Sequence, residues 1–102
     1  MKFATGDVCV RGTGRFVVIS SDFYHSISGR ALIVMLVPVA GADITHFAVS
    51  LGTGEHEIAA ADFVFNVPLS DLRAPDPEHG PTRVGRDEVA TIVAKLQSIQ
   101  GI

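Results

Sequence analysis

The stretch RALIVMLVPV at residues 30–39 constrains the fold more than any other part of this chain. It is a continuous apolar run that ends close to Pro38 and Gly41. Proline and glycine in these positions favour a strand over a helix. An apolar run without alternating polar residues is typical of a strand that is covered on both faces. The run therefore predicts a strand with packing above and below it.

Four other segments also have the composition of strands. They are rich in β-branched and aromatic residues, and they are DVCVR (7–11), RFVVIS (15–20), THFAVSL (45–51) and AADFVFNVPL (60–69). Alternation within the third of them predicts that Phe47, Val49 and Leu51 lie on one side of a strand.

The connections between these strands are polar or rich in glycine and proline. GTG at 12–14 predicts a tight turn, and SDFYHSISG at 21–29 predicts a polar connection. GTGEHEI at 52–58 contains a hairpin-type turn, and its EHE, residues 55–57, is interpreted as a solvated strand end. Residues 73–85 hold three of the five prolines and predict the one long irregular segment.

Beyond residue 85 the apolar residues recur with a helical period. The predicted helix has Asp87 and Glu88 in its first turn, Lys95 near its end and Gly101 as a C-cap. Its apolar face consists of Val89, Ile92, Val93, Leu96 and Ile99.

Short strands followed by one helix predict an α+β fold in a single domain, residues 1–102. The favoured architecture is a small SH3-like antiparallel β-barrel of about five to seven strands with a C-terminal α-helix.

Composition limits the partners of the chain. Apolar residues make up 47% of its 102 residues. A small domain with so many apolar residues is expected to cover part of its surface in a dimer or an obligate complex. The net charge of −3 argues against non-specific binding of nucleic acid, although it leaves a local basic patch open.

Several classes of protein are disfavoured by what the sequence lacks. The single cysteine, Cys9, leaves no intramolecular disulfide and no thiolate zinc site. The four histidines are scattered, so no metal site is expected. The N-terminal residues lack the apolar region of a signal peptide, and the longest apolar run is too short to cross a membrane. The chain is therefore predicted to be cytoplasmic, with no membrane partner.

A group of polar residues lies near the ends of the predicted second and third strands. An arginine can stabilise charge on a phosphoryl group and a histidine can carry a proton, so this group is suited to a phosphodiester. The alternative is a polar loop with capping hydroxyls. Its members are Arg15, Ser20, Ser21, Asp22, Tyr24, His25, Ser26 and Arg30.

The order of short motifs along the chain resembles the MazF/PemK/CcdB superfamily of toxins from bacterial type II toxin–antitoxin systems. The motifs that carry the resemblance are GDV (6–8), RFVVISSD (15–22), VPVAG (37–41), FAVSL (47–51) and the terminal helix. The resemblance implies an SH3-like barrel, a homodimer and a cognate antitoxin peptide. In the MazF/PemK branch it further implies sequence-specific cleavage of single-stranded RNA without a cofactor.

The same resemblance assigns site residues. In the MazF/PemK branch the 2′-hydroxyl of the RNA attacks its own phosphate, assisted by an arginine and a threonine. The arginine falls on Arg15, whereas the threonine falls on Ala40, which has no hydroxyl. Our hypothesis is that Ser20, Ser21 or His25 supplies the proton relay instead.

Four further residues are predicted to bind the RNA. Guanidinium groups recognise phosphate well, and the predicted RNA-binding residues are Arg11, Tyr24, Arg30 and Arg73.

Two alternatives remain open. Ser21, Asp22, Gly29 and Arg30, the VPVA and VPLS stretches and the final Gly-Ile resemble CcdB, whose branch poisons DNA gyrase and has no catalytic centre. That branch has a tryptophan where Gln100 stands. In this case the terminal helix and Ile102 would contact gyrase. The second alternative is a catalytically silent dimer that binds an antitoxin.

Overall fold

One antiparallel sheet carries the fold in this computed structural model, which describes residues 2–38, 48–51 and 57–100. The strand order within them is β1-β2-β3-β5-β4. The strands are β1 (Val8–Arg11), β2 (Gly14–Val18), β3 (Arg30–Pro38), β4 (Ala48–Ser50) and β5 (Glu57–Pro68). The helices are α1 (Asp22–Ser28) and α2 (Arg86–Gln100), with 3₁₀ turns at Leu69–Asp71 and Pro77–His79.

The predicted α+β class and C-terminal helix are confirmed, whereas closure of a barrel is not seen. Within the described ranges the sheet is open, with β1 and β4 as its edges. The free edge of β1 is met by the ends of the 73–85 segment. Val10 and Arg73 exchange backbone hydrogen bonds of 2.8 and 2.9 Å, and the Val8 N–H donates to the Thr82 carbonyl. The irregular segment is thus held against the sheet at both of its ends.

The long apolar strand β3 lies in the middle of the sheet, as its composition predicts. It pairs with β2 on one edge and β5 on the other, and apolar clusters cover both of its faces. The cluster on the α2 side contains Val8, Val17, Val34, Leu36, Val49, Leu51, Ala59, Ala61, Val84, Val89 and Ile92. The cluster on the opposite side contains Phe3, Cys9, Phe16, Val18, Ala31, Ile33, Val67 and Leu72.

The helix α2 follows the predicted pattern up to Leu96, whereas Ile99, which was predicted on the same apolar face, is 41% exposed. Val89 and Ile92 are buried against the sheet, and Val93 and Leu96 pack beside them. The Glu88 carboxylate accepts the Gly85 N–H at 3.2 Å and so caps the first turn. The predicted C-cap Gly101 lies outside the described residues.

The prediction of a polar connection after β2 is wrong, because seven of its residues form α1. The Ser21 hydroxyl accepts the Tyr24 N–H at 3.2 Å, and Gly29 adopts the left-handed conformation with φ of 68° and donates to the His25 carbonyl. Serine before a helix and glycine after it are the usual stop signals. Polar, β-branched and aromatic residues between them conceal a helix this short from a period count.

Replacing Gly29 tests this helix end. Gly29→Ala is expected to lower the free energy of unfolding by about 1–2 kcal/mol, because an L-residue resists a positive φ. A Cβ at this position meets no atom within 4 Å, so steric conflict adds nothing. Gly29→Asn should lose less, since asparagine tolerates this conformation. Urea denaturation of the three proteins checks the order, and equal stability of the alanine variant and the wild type would contradict it.

The single cysteine lies within the core, as its apolar surroundings predict. Cys9 is fully buried on β1. Burial, and to a lesser extent the negative charge of Asp7, raises the pKa of its thiol to about 12.

Thiol labelling of Cys9 should therefore require unfolding. Only a thiolate reacts with Ellman's reagent, so at pH 8 the native protein is expected to react at least about 100-fold more slowly than the urea-unfolded chain. Equal rates in the two states would show that Cys9 is not protected.

Candidate active site

Arg15, the predicted site cation, lies near the start of β2 on the face that packs against α2. It stands opposite Val10 of β1 and Leu36 of β3, and Leu36 belongs to the α2-side cluster. The turn before it allows this position, since Gly12 has a φ of 61°. Only 16% of the Arg15 side chain is exposed.

Glu57 and Pro81 hold the Arg15 guanidinium in place. Arg15 Nε donates to Glu57 Oε2 at 2.8 Å, and Nη2 donates to Glu57 Oε1 at 3.0 Å. Nη2 also donates to the Pro81 carbonyl at 2.8 Å. A parallel pair of charge-assisted hydrogen bonds of this kind fixes both distance and orientation. We call Arg15, Glu57 and Pro81 the arginine clamp.

Glu57 was missed by sequence reasoning, which interpreted it as part of a solvated strand end. Its side chain is only 15% exposed, so that interpretation is wrong for Glu57; Glu55 and His56 lie outside the described residues. Glu57 begins β5 opposite Pro38, and β3 separates it from Arg15. No local signal reveals the pair, because it depends on the order of strands in the sheet.

The loop backbone packs directly on the guanidinium. A Cβ added at Gly80 would lie 3.0 Å from Arg15 Nη2. Arg15 Nη1 is also buried, and it has no hydrogen-bond partner in the part of the chain that the structure describes. A buried donor without a partner is costly, and a guanidinium donor in this state is well suited to an anionic oxygen.

Ser20 and His25 form a second, separate contact. A 2.6 Å hydrogen bond joins Ser20 Oγ and His25 Nε2, and the Leu32 N–H donates to the same hydroxyl oxygen at 2.9 Å. The two residues are only 7% and 6% exposed. His25 Nδ1 has no hydrogen-bond partner among the residues that the structure describes, and it lies 3.9 Å from Asp22 Oδ1. The contact ties α1 to β3.

The prediction of one polar cluster that unites Arg15 with Ser20, Ser21 and His25 is wrong. Five residues of extended chain separate Arg15 from Ser20, which corresponds to about 16 Å. Arg15 pairs with Leu36 near the end of β3, whereas Ser20 contacts Leu32 near its beginning. The Ser21 hydroxyl is engaged as the cap of α1. The structure thus places the arginine and the proposed proton relay at opposite ends of the sheet.

Two of the predicted RNA-binding residues share the Arg15 end of the sheet. Arg73 donates to the Gly12 carbonyl at 2.7 Å. Arg11 Nε lies 3.8 Å from Asp71 Oδ2. Because Arg11 follows Val10 on β1, its side chain leaves from the face opposite Arg15.

The other two predicted RNA-binding residues, Tyr24 and Arg30, lie at the opposite end of the sheet, and both bond to the Asn66 side chain. Arg30 Nε donates to Asn66 Oδ1 at 2.7 Å, and Asn66 Nδ2 donates to the Tyr24 hydroxyl at 2.7 Å. Tyr24 and Arg30 are therefore joined to each other, but not to Arg15.

Apolar side chains are exposed near this second end. Phe23 and Ile27 lie one turn apart on α1 and are 75% and 72% exposed. Phe63 and Phe65 of β5 are partly exposed as well, although the Phe65 ring contacts Phe16 edge-on at 5.9 Å between centroids.

Neither a metal-binding cluster nor a membrane helix is present in residues 2–38, 48–51 and 57–100. No three histidine, cysteine or acidic side chains there converge on a position that could hold an ion. No helix there has the length and apolar character needed to cross a bilayer.

Solved structures of MazF proteins share this fold over the length of the chain. A chain of the MazE–MazF structure from Deinococcus radiodurans matches with a TM-score of 0.80 at 18% identity, covering 100% of this chain and 99% of that chain. A MazF structure from the same organism gives 0.79 at 17% identity, with coverage of 100% and 99%. A mycobacterial endoribonuclease in complex with its cognate antitoxin gives 0.77 at 15% identity, with coverage of 99% and 97%.

Comparison by sequence adds nothing to this. No protein-family model matches the chain, and a search of curated proteins finds no match. The chain therefore has the MazF fold, and the resemblance seen in its motifs is confirmed at that level.

Removing the Ser20 hydroxyl tests its structural role. Ser20→Ala is expected to lower the free energy of unfolding by about 1–3 kcal/mol, because His25 Nε2 and the Leu32 N–H lose a buried partner. Ser26→Ala is the control, since its exposed hydroxyl bonds the Phe23 carbonyl and its loss should change stability by less than about 0.5 kcal/mol. Thermal denaturation of both variants checks this, and equal effects would contradict a special role for Ser20.

Proposed function

We propose that this protein is the toxin of a type II toxin–antitoxin module and that it cleaves single-stranded RNA at the Arg15 end of its sheet. The MazF fold over the whole chain supports the toxin class, as do the motifs GDV, RFVVISSD and FAVSL. The neighbouring structures include a MazE–MazF complex and an endoribonuclease with its antitoxin.

The unpaired Nη1 of Arg15 is the observation that carries the proposed activity. In the proposed reaction the RNA 2′-oxygen forms a bond to the adjacent phosphorus and gives its proton to solvent water. The bond from phosphorus to the 5′-oxygen breaks and this oxygen takes a proton from solvent water, which yields a cyclic phosphate and a 5′-hydroxyl. Nη1 is buried in the free protein, so bound RNA must first displace the atoms that cover it; Nη1 then donates to a non-bridging oxygen, where negative charge grows in the transition state. No cofactor takes part.

The expected proton relay is not part of this proposal. Ser20 and His25 are buried and bonded to each other, and Ser21 caps α1. We assign all three to the fold. Arg11 and Arg73 remain the proposed RNA contacts near Arg15, whereas Tyr24 and Arg30 would meet RNA only if it crossed to the other end.

Substitution of Arg15 tests the activity. Arg15→Ala and Arg15→Lys should each cut RNA at least about 100-fold more slowly than the wild type, because lysine keeps the charge but not the fork. Ser21→Ala is the control and should retain the wild-type rate. Circular dichroism confirms folding of each variant. Cleavage by Arg15→Ala at the wild-type rate would refute the role of Arg15.

One observation favours the catalytically silent alternative. Nε and Nη2 of Arg15 are already bonded, and the Gly80–Pro81 backbone covers the side chain. A silent protein would bind an antitoxin without cutting RNA. The position of the missing threonine, Ala40, and the residues expected to contact gyrase, Gly101 and Ile102, lie outside the described residues. Incubating the purified protein with RNA, and separately with gyrase in a supercoiling assay, separates all three functions.

We further propose that the protein forms a homodimer and binds a cognate antitoxin peptide in the cytoplasm. The exposed apolar side chains of α1 and β5 support association with a partner. Light scattering after size exclusion measures the state of the protein. Co-expression with the product of a neighbouring gene tests whether that product neutralises it.

A further inference from the structure

Glu57 neutralises and orients the one cation that the proposed function requires. A guanidinium has five N–H donors. Glu57 and the Pro81 carbonyl occupy the Nε donor and both donors of Nη2. The two donors of Nη1 are buried and have no partner in the described ranges, so an RNA phosphate reaches them only after the atoms that cover Nη1 move aside. The plane of the group is fixed, so the direction of these two donors is fixed with it.

From this geometry we infer that Glu57 is a positioning residue: it aims Arg15 Nη1 at the scissile phosphate and weakens the attraction of the site for intact RNA. The inference rests on the proposed function. Glu57 itself touches Arg15 and not the substrate.

The charge of Glu57 acts on binding. Arg15 and Glu57 together carry no net charge, so an incoming phosphodiester meets a neutral pair instead of a free cation. Both side chains are largely buried, and solvent screens a buried pair less than an exposed one. Intact RNA is therefore held weakly at this point.

The two oxygens of Glu57 act on the chemical step. With both of them bonded, the planar guanidinium cannot turn about the Cδ–Nε bond or swing away from β5. A catalytic group misplaced by about 1 Å can lose about 100-fold in rate. Pro81 alone, with one hydrogen bond to Nη2, cannot hold the plane of the guanidinium.

Two substitutions separate orientation from charge. Glu57→Asp keeps the charge but is one methylene shorter, so it cannot reach both nitrogens. We expect kcat to fall by about 10- to 100-fold while KM stays near the wild-type value. Glu57→Gln removes the charge and one acceptor, so kcat falls similarly while RNA binds about threefold to tenfold more tightly.

The salt dependence of binding gives a readout that a purely structural role would not move. RNA affinity is measured on an oligonucleotide that spans a cut made by the wild type and carries a 2′-O-methyl group at that cut. With Glu57→Gln, one more phosphate charge is neutralised, so log K should fall with log salt more steeply by about 0.7. Asp62→Asn is the matched control: it removes one negative charge from an exposed residue of the same strand, and it should leave kcat unchanged.

The outcomes distinguish the two proposals. A wild-type protein that cuts no RNA overturns the proposed function and this inference together. If the wild-type protein cuts RNA and both Glu57 variants have the same kcat per folded molecule as the wild type, the inference alone is overturned. Equal binding and salt slopes for Glu57→Gln and Asp62→Asn would likewise overturn it. Reduced kcat in both variants, with tighter and more salt-dependent binding in Glu57→Gln alone, supports it.

Discussion

The double pairing of β3 decides where the other parts of this protein lie. Because β2 and β5 occupy its two edges, an apolar strand with no exposed face becomes the centre of the sheet. The same pairing brings the first residues of β5 and of β2 to the same end of β3, one on each side of it. Two oppositely charged side chains 42 positions apart meet there as a consequence. The arginine clamp is therefore a product of sheet order, and it has no counterpart in the local sequence.

The elements that could be predicted from the sequence are those with a strong local pattern. β3 has a continuous apolar run and α2 has a helical period, and both form where these patterns predict. α1 has only its two cap residues, Ser21 and Gly29, as sequence signals, and its apolar spacing does not indicate a helix. The arginine was predicted as a site residue through a resemblance, but its partner Glu57 was not. A long-range ion pair is set by topology, which no window of sequence contains.

Side chains that are suited to catalysis can also provide hydrogen bonds to buried backbone groups. Ser20 and His25 have the chemistry of a proton relay, yet in the fold they bond each other and the Leu32 N–H. A buried polar pair without such hydrogen bonds would lower the free energy of unfolding. A structural role therefore explains the presence of Ser20 and His25. Arg15 and His25 each keep one nitrogen without a partner within the described residues. The two ends of the sheet differ because the unused donor of Arg15 belongs to a guanidinium, which is always charged and recognises phosphate well.

The arginine clamp can form only late in the synthesis of the chain. Pro81 follows Arg15 by 66 positions, so a growing chain on the ribosome cannot complete the contact until residue 81 has emerged. Before that moment the guanidinium is hydrated and rotates freely, and its two partners are far away or not yet made. Loop closure over such a separation carries a large entropic cost, which the packing of β5 and α2 on the sheet must first offset. The candidate site thus belongs to the finished fold, and partly synthesised chains lack it.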